Sequence, residues 1–212
     1  MVLDSKRQSV EFIIEPVAKA LSRFHPNTVS WLAFVLSIVA GVLIFISPEW
    51  WQVLLPLASI AVLASGFFDA LDGKVARLTG KASRRGDLLD HVLDRYADII
   101  MIGAVAVSAW CSPYIGIVAI IGVLLTSYMG TQAQAIGAGR LYSGLLGRAD
   151  RVVLLIAAPL LQMLFFAFTS DGWLAIGPIS LSAFELVMLW FAVVGNITAV
   201  QRALKIWKMV PP

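Results

Sequence analysis

Apolar residues run along this chain in blocks of about twenty, the length a helix needs to cross a hydrocarbon core. Six such blocks stand near Asn27–Ile46, Trp51–Phe68, Leu89–Trp110, Tyr114–Ala135, Val152–Phe168 and Leu181–Ala203. The breaks between them hold turn residues, as in Ser170-Asp-Gly-Trp-Leu-Ala-Ile-Gly-Pro-Ile-Ser180, which suits a short loop. Ahead of the first block, Val10–Phe24 mixes apolar and charged positions and stops at His25-Pro26-Asn27. That mixture predicts an amphipathic helix at the membrane interface, serving as an anchor or as a lid over a site. Pro26 suits the first turn of the next helix, with Asn27 or Thr28 available to cap its free amides. The expected fold is an all-α integral membrane protein of six transmembrane helices plus an N-terminal amphipathic interfacial helix. It forms one domain over residues 1–212, with 1–25 as interfacial helix and arm and 26–206 as the six-helix core. No internal repeat or low-complexity tract is visible.

Composition agrees: of 212 residues 59% are hydrophobic and 14% charged, with mean hydropathy +0.87. Charge adds orientation. All sixteen Lys and Arg fall in the N-terminal arm, the second or fourth connection, the C-terminal tail, or the helix ends beside them. By the positive-inside rule both termini and those connections face the cytoplasm, in a cell membrane. The net charge of +3 then reflects orientation and anionic headgroups, and nucleic acid is not an expected partner. The start of the chain lacks the apolar core and cleavage site of a secretory signal, so the first span is expected to direct insertion. Cys111, the single cysteine, has no metal-ligand neighbours and is expected to pack. Trp50, Trp51, Trp110 and Trp173 fall near outer ends, where an aromatic belt would place them.

Against this background the stretch Asp69-Ala-Leu-Asp72-Gly73-Lys-Val-Ala76-Arg77, followed by Gly86, Asp90 and Asp94, stands out. Carboxylates near hydrocarbon are costly and call for a compensating charge. Asp69, Asp72 and Ala76 share one helical face, and Asp90, Asp94 and Asp98 repeat every four residues on the next helix. A short basic loop joining two antiparallel helices turns these carboxylates toward each other. Hard oxygen ligands at this density suit Mg²⁺ or Mn²⁺, as one ion or as a pair that clamps a phosphoryl group. Gly73 keeps its face clear for a ligand, and Arg77, Lys81, Arg84 and Arg85 supply phosphate contacts. Asp87, Asp98 and Arg95 are better explained as interfacial salt bridges. A carboxylate-lined cation or proton carrier is the competing function, although apart from Glu185 near an outer end the other helices supply no acidic group.

The spacing D-x2-D-G-x2-A-R-x8-G-x3-D-x3-D resembles the signature of the CDP-alcohol phosphotransferase family, and the six-helix plan and the His-Pro-Asn-Thr start of the first span are also similar to it. The resemblance implies transfer of a lipid-linked phosphoryl group from a CDP-lipid, CDP-diacylglycerol or CDP-archaeol, to a polar alcohol, with release of CMP. It implies that Asp69, Asp72, Asp90 and Asp94 hold two divalent ions and that Asp94 is also the general base. It implies a cytidine and phosphate pocket of Asp72, Gly73, Ala76, Arg77 and Gly86, with Asn27 and Thr28 at its edge, and a homodimer. Arg148-Ala-Asp-Arg151 resembles the Arg-x-x-Arg element of inositol-phosphate-using members. Its two arginines lie one turn apart and suit a phosphate, with Arg140 as a further contact. Tyr128-Met-Gly130-Thr-Gln132-Ala-Gln134 departs from the Lys and Arg those members carry there, although Ser127, Gln132 and Gln134 suit sugar hydroxyls. Inositol phosphate is thus the expected acceptor, ahead of glycerol phosphate and then serine.

Overall fold

The computed structural model describes residues 7–139, 141 and 143–209. Its helices are α1 (Arg7–Leu21), α2 (Pro26–Ile46), α3 (Trp51–Leu78), α4 (Arg84–Val107), α5 (Pro113–Ala135), α6 (Arg148–Phe168), α7 (Ala183–Trp190) and α8 (Asn196–Met209), with a π-helical turn, Phe191–Gly195, joining the last two. Among the described residues five helices are long and apolar enough to cross a membrane: α2, α3, α5, α6 and the continuous run Ala183–Met209. The protein is an integral membrane protein. α4 falls outside the five because it carries Arg84, Arg85, Asp87, Asp90, Asp94, Arg95 and Asp98.

Local chemistry sets where the helices begin. The cap of α2 is His25, whose Nδ1 accepts from the Asn27 amide at 3.3 Å, with Pro26 in the first turn. The capping expected of Asn27 or Thr28 therefore falls earlier, at His25. Ser83 caps α4 by accepting from the Gly86 amide at 3.1 Å, which starts that helix five residues before the apolar block at Leu89. α3 has 28 residues, and at 1.5 Å rise each it is about 42 Å long. Its last turns therefore extend past a hydrocarbon core and carry Asp69 and Asp72 toward the end where α4 begins.

Small and hydroxylic residues bring the helices together. Ser65 Oγ donates to the Ala33 carbonyl of α2 at 2.8 Å, and Ser59 Oγ to the Ile156 carbonyl of α6 at 2.6 Å. At Gly66 a Cβ would stand 2.9 Å from Val152 Cγ1, so α3 and α6 meet at a contact that admits no side chain. α1 buries Ala18 against Leu71, Val75 and Val29, with Ile14, Val17 and Leu21 beside them. It is docked on α2 and α3, and none of its described side chains lines the cleft described below.

The end of the bundle away from the aspartates is knitted by buried polar groups. Trp110 is 3% exposed, donates from Nε1 to Ser47 Oγ at 2.7 Å and stacks on Phe184. It is a core residue and not part of an aromatic belt, because its indole has both a hydrogen-bond partner and aromatic neighbours inside. Gln162 is fully buried, donating to the Gly172 carbonyl at 2.7 Å and accepting from the Ala183 amide at 2.8 Å. Glu185 accepts from the Ser112 amide at 2.9 Å. Cys111 is buried there as expected, and burial first, then the Glu185 charge, pushes its thiol up to about 12. The last outer connection is a hairpin rather than a plain loop: β1 (Leu174–Ile176) pairs antiparallel with β2 (Ile179–Leu181), turning at Gly177 with φ +62.

At the other end, Arg202 of α8 is buried. It donates to the Ser143 carbonyl at 2.8 Å and the Thr126 carbonyl at 2.6 Å, holding the α5–α6 connection against α5. Arg140 of that connection lies outside the described residues.

Candidate active site

A cleft open to solvent lies between α2, α3, α4 and α6. Ser30, Ala33 and Phe34 line it from α2, Asp69 and Asp72 from α3, Asp90, Asp94, Asp98 and Met101 from α4, and Arg148 and Val152 from α6. The four motif aspartates thus converge, as two facing helices with carboxylates at i, i+3 and i, i+4 require. Phe34, Val62 and Met101 make the deeper wall apolar.

The carboxylates are not equivalent. Asp69, Asp72 and Asp90 each offer an oxygen within 4.8 Å of the others. Asp72 is 7% exposed, and among the described residues its Oδ2 has no hydrogen-bond partner although it is buried. A buried carboxylate oxygen without a donor, facing two more carboxylates, is costly unless a cation joins them. This donor set of hard oxygens fits a divalent ion such as Mg²⁺ or Mn²⁺. Asp94 stands beside the trio but outside it, its carboxylate turned to Arg148 and, at 3.7 Å, to Arg95.

Arg148 reaches in from the first turn of α6. Its Nη2 lies 2.5 Å from Asp69 Oδ1 and also contacts Asp94 Oδ1, so a single guanidinium nitrogen joins α3 to α4. Arg151, one turn on, is buried and donates from Nη2 to Asp98 at 2.9 Å and from Nη1 to Ser127 Oγ of α5 at 3.4 Å. Of the two arginines expected to serve a phosphate, Arg148 lines the cleft and Arg151 is buried behind it on Asp98, each engaged by a carboxylate. Asp98 and Arg95 do form a salt bridge, at 3.4 Å, but Asp98 is buried in the bundle and not at its interface. Its place in the cleft was signalled by its position four residues after Asp94.

Of the expected nucleotide pocket, Asn27 and Gly86 come together: a Cβ on Gly86 would lie 3.7 Å from Asn27 Oδ1 and 3.3 Å from Ser83 Oγ. A Cβ on Gly73 would meet nothing nearer than Arg77 Nη1 at 3.5 Å, leaving that face of α3 open. Ala76 is half-buried, while Arg77 and Thr28 are exposed. Among the described residues Ser127, Gln132 and Gln134 do not line the cleft, and Ser127 accepts from the buried Arg151.

Residues 23–198 match the sequence model of a family described as CDP-alcohol phosphatidyltransferase. The chain is 28% identical to the archaetidylinositol phosphate synthase of Pyrococcus horikoshii over 75% of its own length and 82% of that protein's. It is 32% identical to the phosphatidylinositol phosphate synthase of Mycobacteroides abscessus over 71% and 70% respectively. Its fold is similar to that of Mycobacterium tuberculosis phosphatidylinositol phosphate synthase solved with CDP-DAG bound, with TM-score 0.71 at 24% identity, covering 94% of this chain and 98% of that one.

Proposed function

The chain belongs to the CDP-alcohol phosphatidyltransferase family, and from that premise we propose that it moves a phosphatidyl or archaetidyl group from a CDP-lipid to inositol phosphate, releasing CMP. Membership makes it a transferase of substituted phosphate groups and displaces the cation-carrier alternative. The observation that carries the finer assignment is the convergence of Asp69, Asp72, Asp90 and Asp94 with Arg148 in one cleft, with Arg151 bonded behind it to the cleft residue Asp98.

Asp69, Asp72, Asp90 and Asp94 would hold the divalent ions, two in this proposal and Mg²⁺ or Mn²⁺ by donor chemistry. When bound, such ions neutralise the charge of a diphosphate and polarise the bond to be broken. Gly73, Ala76, Arg77, Gly86, Asn27 and Thr28 would accept the cytidine and its phosphate, the small residues letting the nucleotide lie against the helices. Asp94 would take the proton of the acceptor hydroxyl. The freed oxygen attacks the lipid-bearing phosphorus, the bond to the CMP oxygen breaks, and CMP leaves with the electron pair. The apolar lower wall excludes water that would otherwise compete as acceptor. Arg148 and Arg151, with Arg140, would orient the acceptor phosphate. The named activities of the relatives support inositol phosphate as acceptor and leave glycerol phosphate and serine as the acceptors to test beside it.

In the proposed topology α4 is a sixth span and α1 an interfacial helix. Residues 1–212 form a single catalytic domain, and both termini and the cleft face the cytoplasm of the cell membrane in a homodimer. Thermal unfolding in detergent tests the assignment. CMP is expected to raise the midpoint only when Mg²⁺ is present, and the Asp72→Asn variant is expected to lose the effect. Absence of any cytidine effect in a folded sample would refute it.

A further inference from the structure

We propose that Arg148 acts as a built-in counter-cation standing where a second divalent ion would bind, so that the two ions load in sequence and the second frees Arg148 for the acceptor phosphate. This deepens the proposed function and rests on its metal assignment.

The carboxylates divide into two groups. Asp69, Asp72 and Asp90 gather their oxygens within 4.8 Å, and the buried, unpartnered Asp72 Oδ2 points to a cation there. The fourth motif carboxylate, Asp94, faces Asp69 across a single guanidinium nitrogen, Arg148 Nη2, which lies 2.5 Å from Asp69 Oδ1 and contacts Asp94 Oδ1. A nitrogen held between two carboxylate oxygens from different helices sets one positive charge against two carboxylates, where a divalent ion would supply two. The first ion can enter the Asp69, Asp72 and Asp90 group while Asp94 keeps its arginine. A second ion that uses Asp94 and Asp69 must take the oxygens Arg148 holds, because cation and guanidinium cannot share them.

The displaced side chain has a long flexible stem and a fork suited to phosphate. Arg151 stays fixed by Asp98 at 2.9 Å, one helical turn away. Only after the exchange is the Arg148 guanidinium available to a phosphate. Completion of the metal centre is thereby coupled to capture of a phosphorylated acceptor, which would limit attack by water before the acceptor arrives.

Mn²⁺ titration of detergent-purified full-length protein, read by the electron paramagnetic resonance signal of free and bound Mn²⁺, tests this without turnover. Wild type is expected to bind one ion tightly and a second at least tenfold more weakly. Arg148→Gln is expected to tighten the second step at least tenfold while leaving the first within about threefold. Arg148→Lys, which keeps the charge on a shorter stem with no fork, is expected to fall between them and serves where the glutamine variant is unstable. Two equal steps in wild type, or a second step unchanged by either substitution, would overturn the proposal. Failure of the underlying metal assignment looks different: wild type would bind no Mn²⁺, or Asp72→Asn would leave the first step intact.

Discussion

Arg151 of α6 and Asp98 of α4 are joined at 2.9 Å, with side chains only 2% and 5% exposed. A charge pair this deep in a membrane bundle is costly to form and more costly to break. Asp98 also sits 3.4 Å from Arg95, so it balances two guanidinium groups. Asp98→Asn is therefore expected to destabilise the fold by about 3–5 kcal/mol, the range for stranding a buried charge. Combining it with Arg151→Met is expected to restore at least half of the loss. A double-mutant cycle by thermal unfolding measures this, and strictly additive losses would contradict the pairing.

Two glycines of α3 are expected to respond oppositely to alanine. At Gly66 the new Cβ would stand 2.9 Å from Val152 Cγ1, so Gly66→Ala must separate α3 from α6, at about 1–3 kcal/mol for overpacking. At Gly73 the nearest atom is the mobile end of Arg77 at 3.5 Å, so Gly73→Ala folds normally. Its methyl narrows the proposed nucleotide face, and KM for the CDP-lipid is expected to rise about tenfold, the scale of one misplaced methyl group in a pocket. Unfolding midpoints and donor KM values of both variants check the contrast.

The Cys111 thiol, pushed up to about 12 chiefly by burial, stays protonated in the folded protein at any ordinary pH. The thiolate is the reactive form, so alkylation by iodoacetamide at pH 8 is expected only as the protein unfolds. The same shift has a stability consequence with a definite sign. The contribution is fully present below the unfolded thiol's value and is lost as pH rises toward 12, because the unfolded state releases the proton first. Mass spectrometry along a denaturant series measures the labelling, and rapid labelling of native protein would contradict the buried position.

Much of this was legible in the sequence because membrane spans and acidic motifs are strong local signals. The blocks at Asn27–Ile46 and Tyr114–Ala135 match α2 and α5 within one residue at each end. Asp69, Asp72, Asp90 and Asp94 share a cleft because their spacing alone puts them on facing helical surfaces. What escaped depended on partners distant in sequence. Trp110 has the composition of a belt residue, and only Ser47 and Phe184 make it a core one. Asp98 looks like a surface charge until Arg151, 53 residues later, is folded against it. The pairing of Arg148 with Asp69 and Asp94 likewise spans three helices, and no periodicity within one of them announces it. His25 took the cap because its imidazole precedes Pro26, a choice that capping preferences, led by Asn, Asp and Ser, do not favour.

The central claim is the transfer reaction itself, and CMP release tests it most directly. Purified protein with Mg²⁺ would be given CDP-diacylglycerol or CDP-archaeol and, in turn, inositol phosphate, glycerol phosphate, serine and free inositol, with Asp94→Asn as the control. CMP is expected with inositol phosphate, at a rate at least 10²-fold above the Asp94→Asn variant, the usual scale for losing a general base. A folded wild-type protein that releases no CMP with any acceptor from either donor, or an Asp94→Asn variant as fast as wild type, would contradict the account.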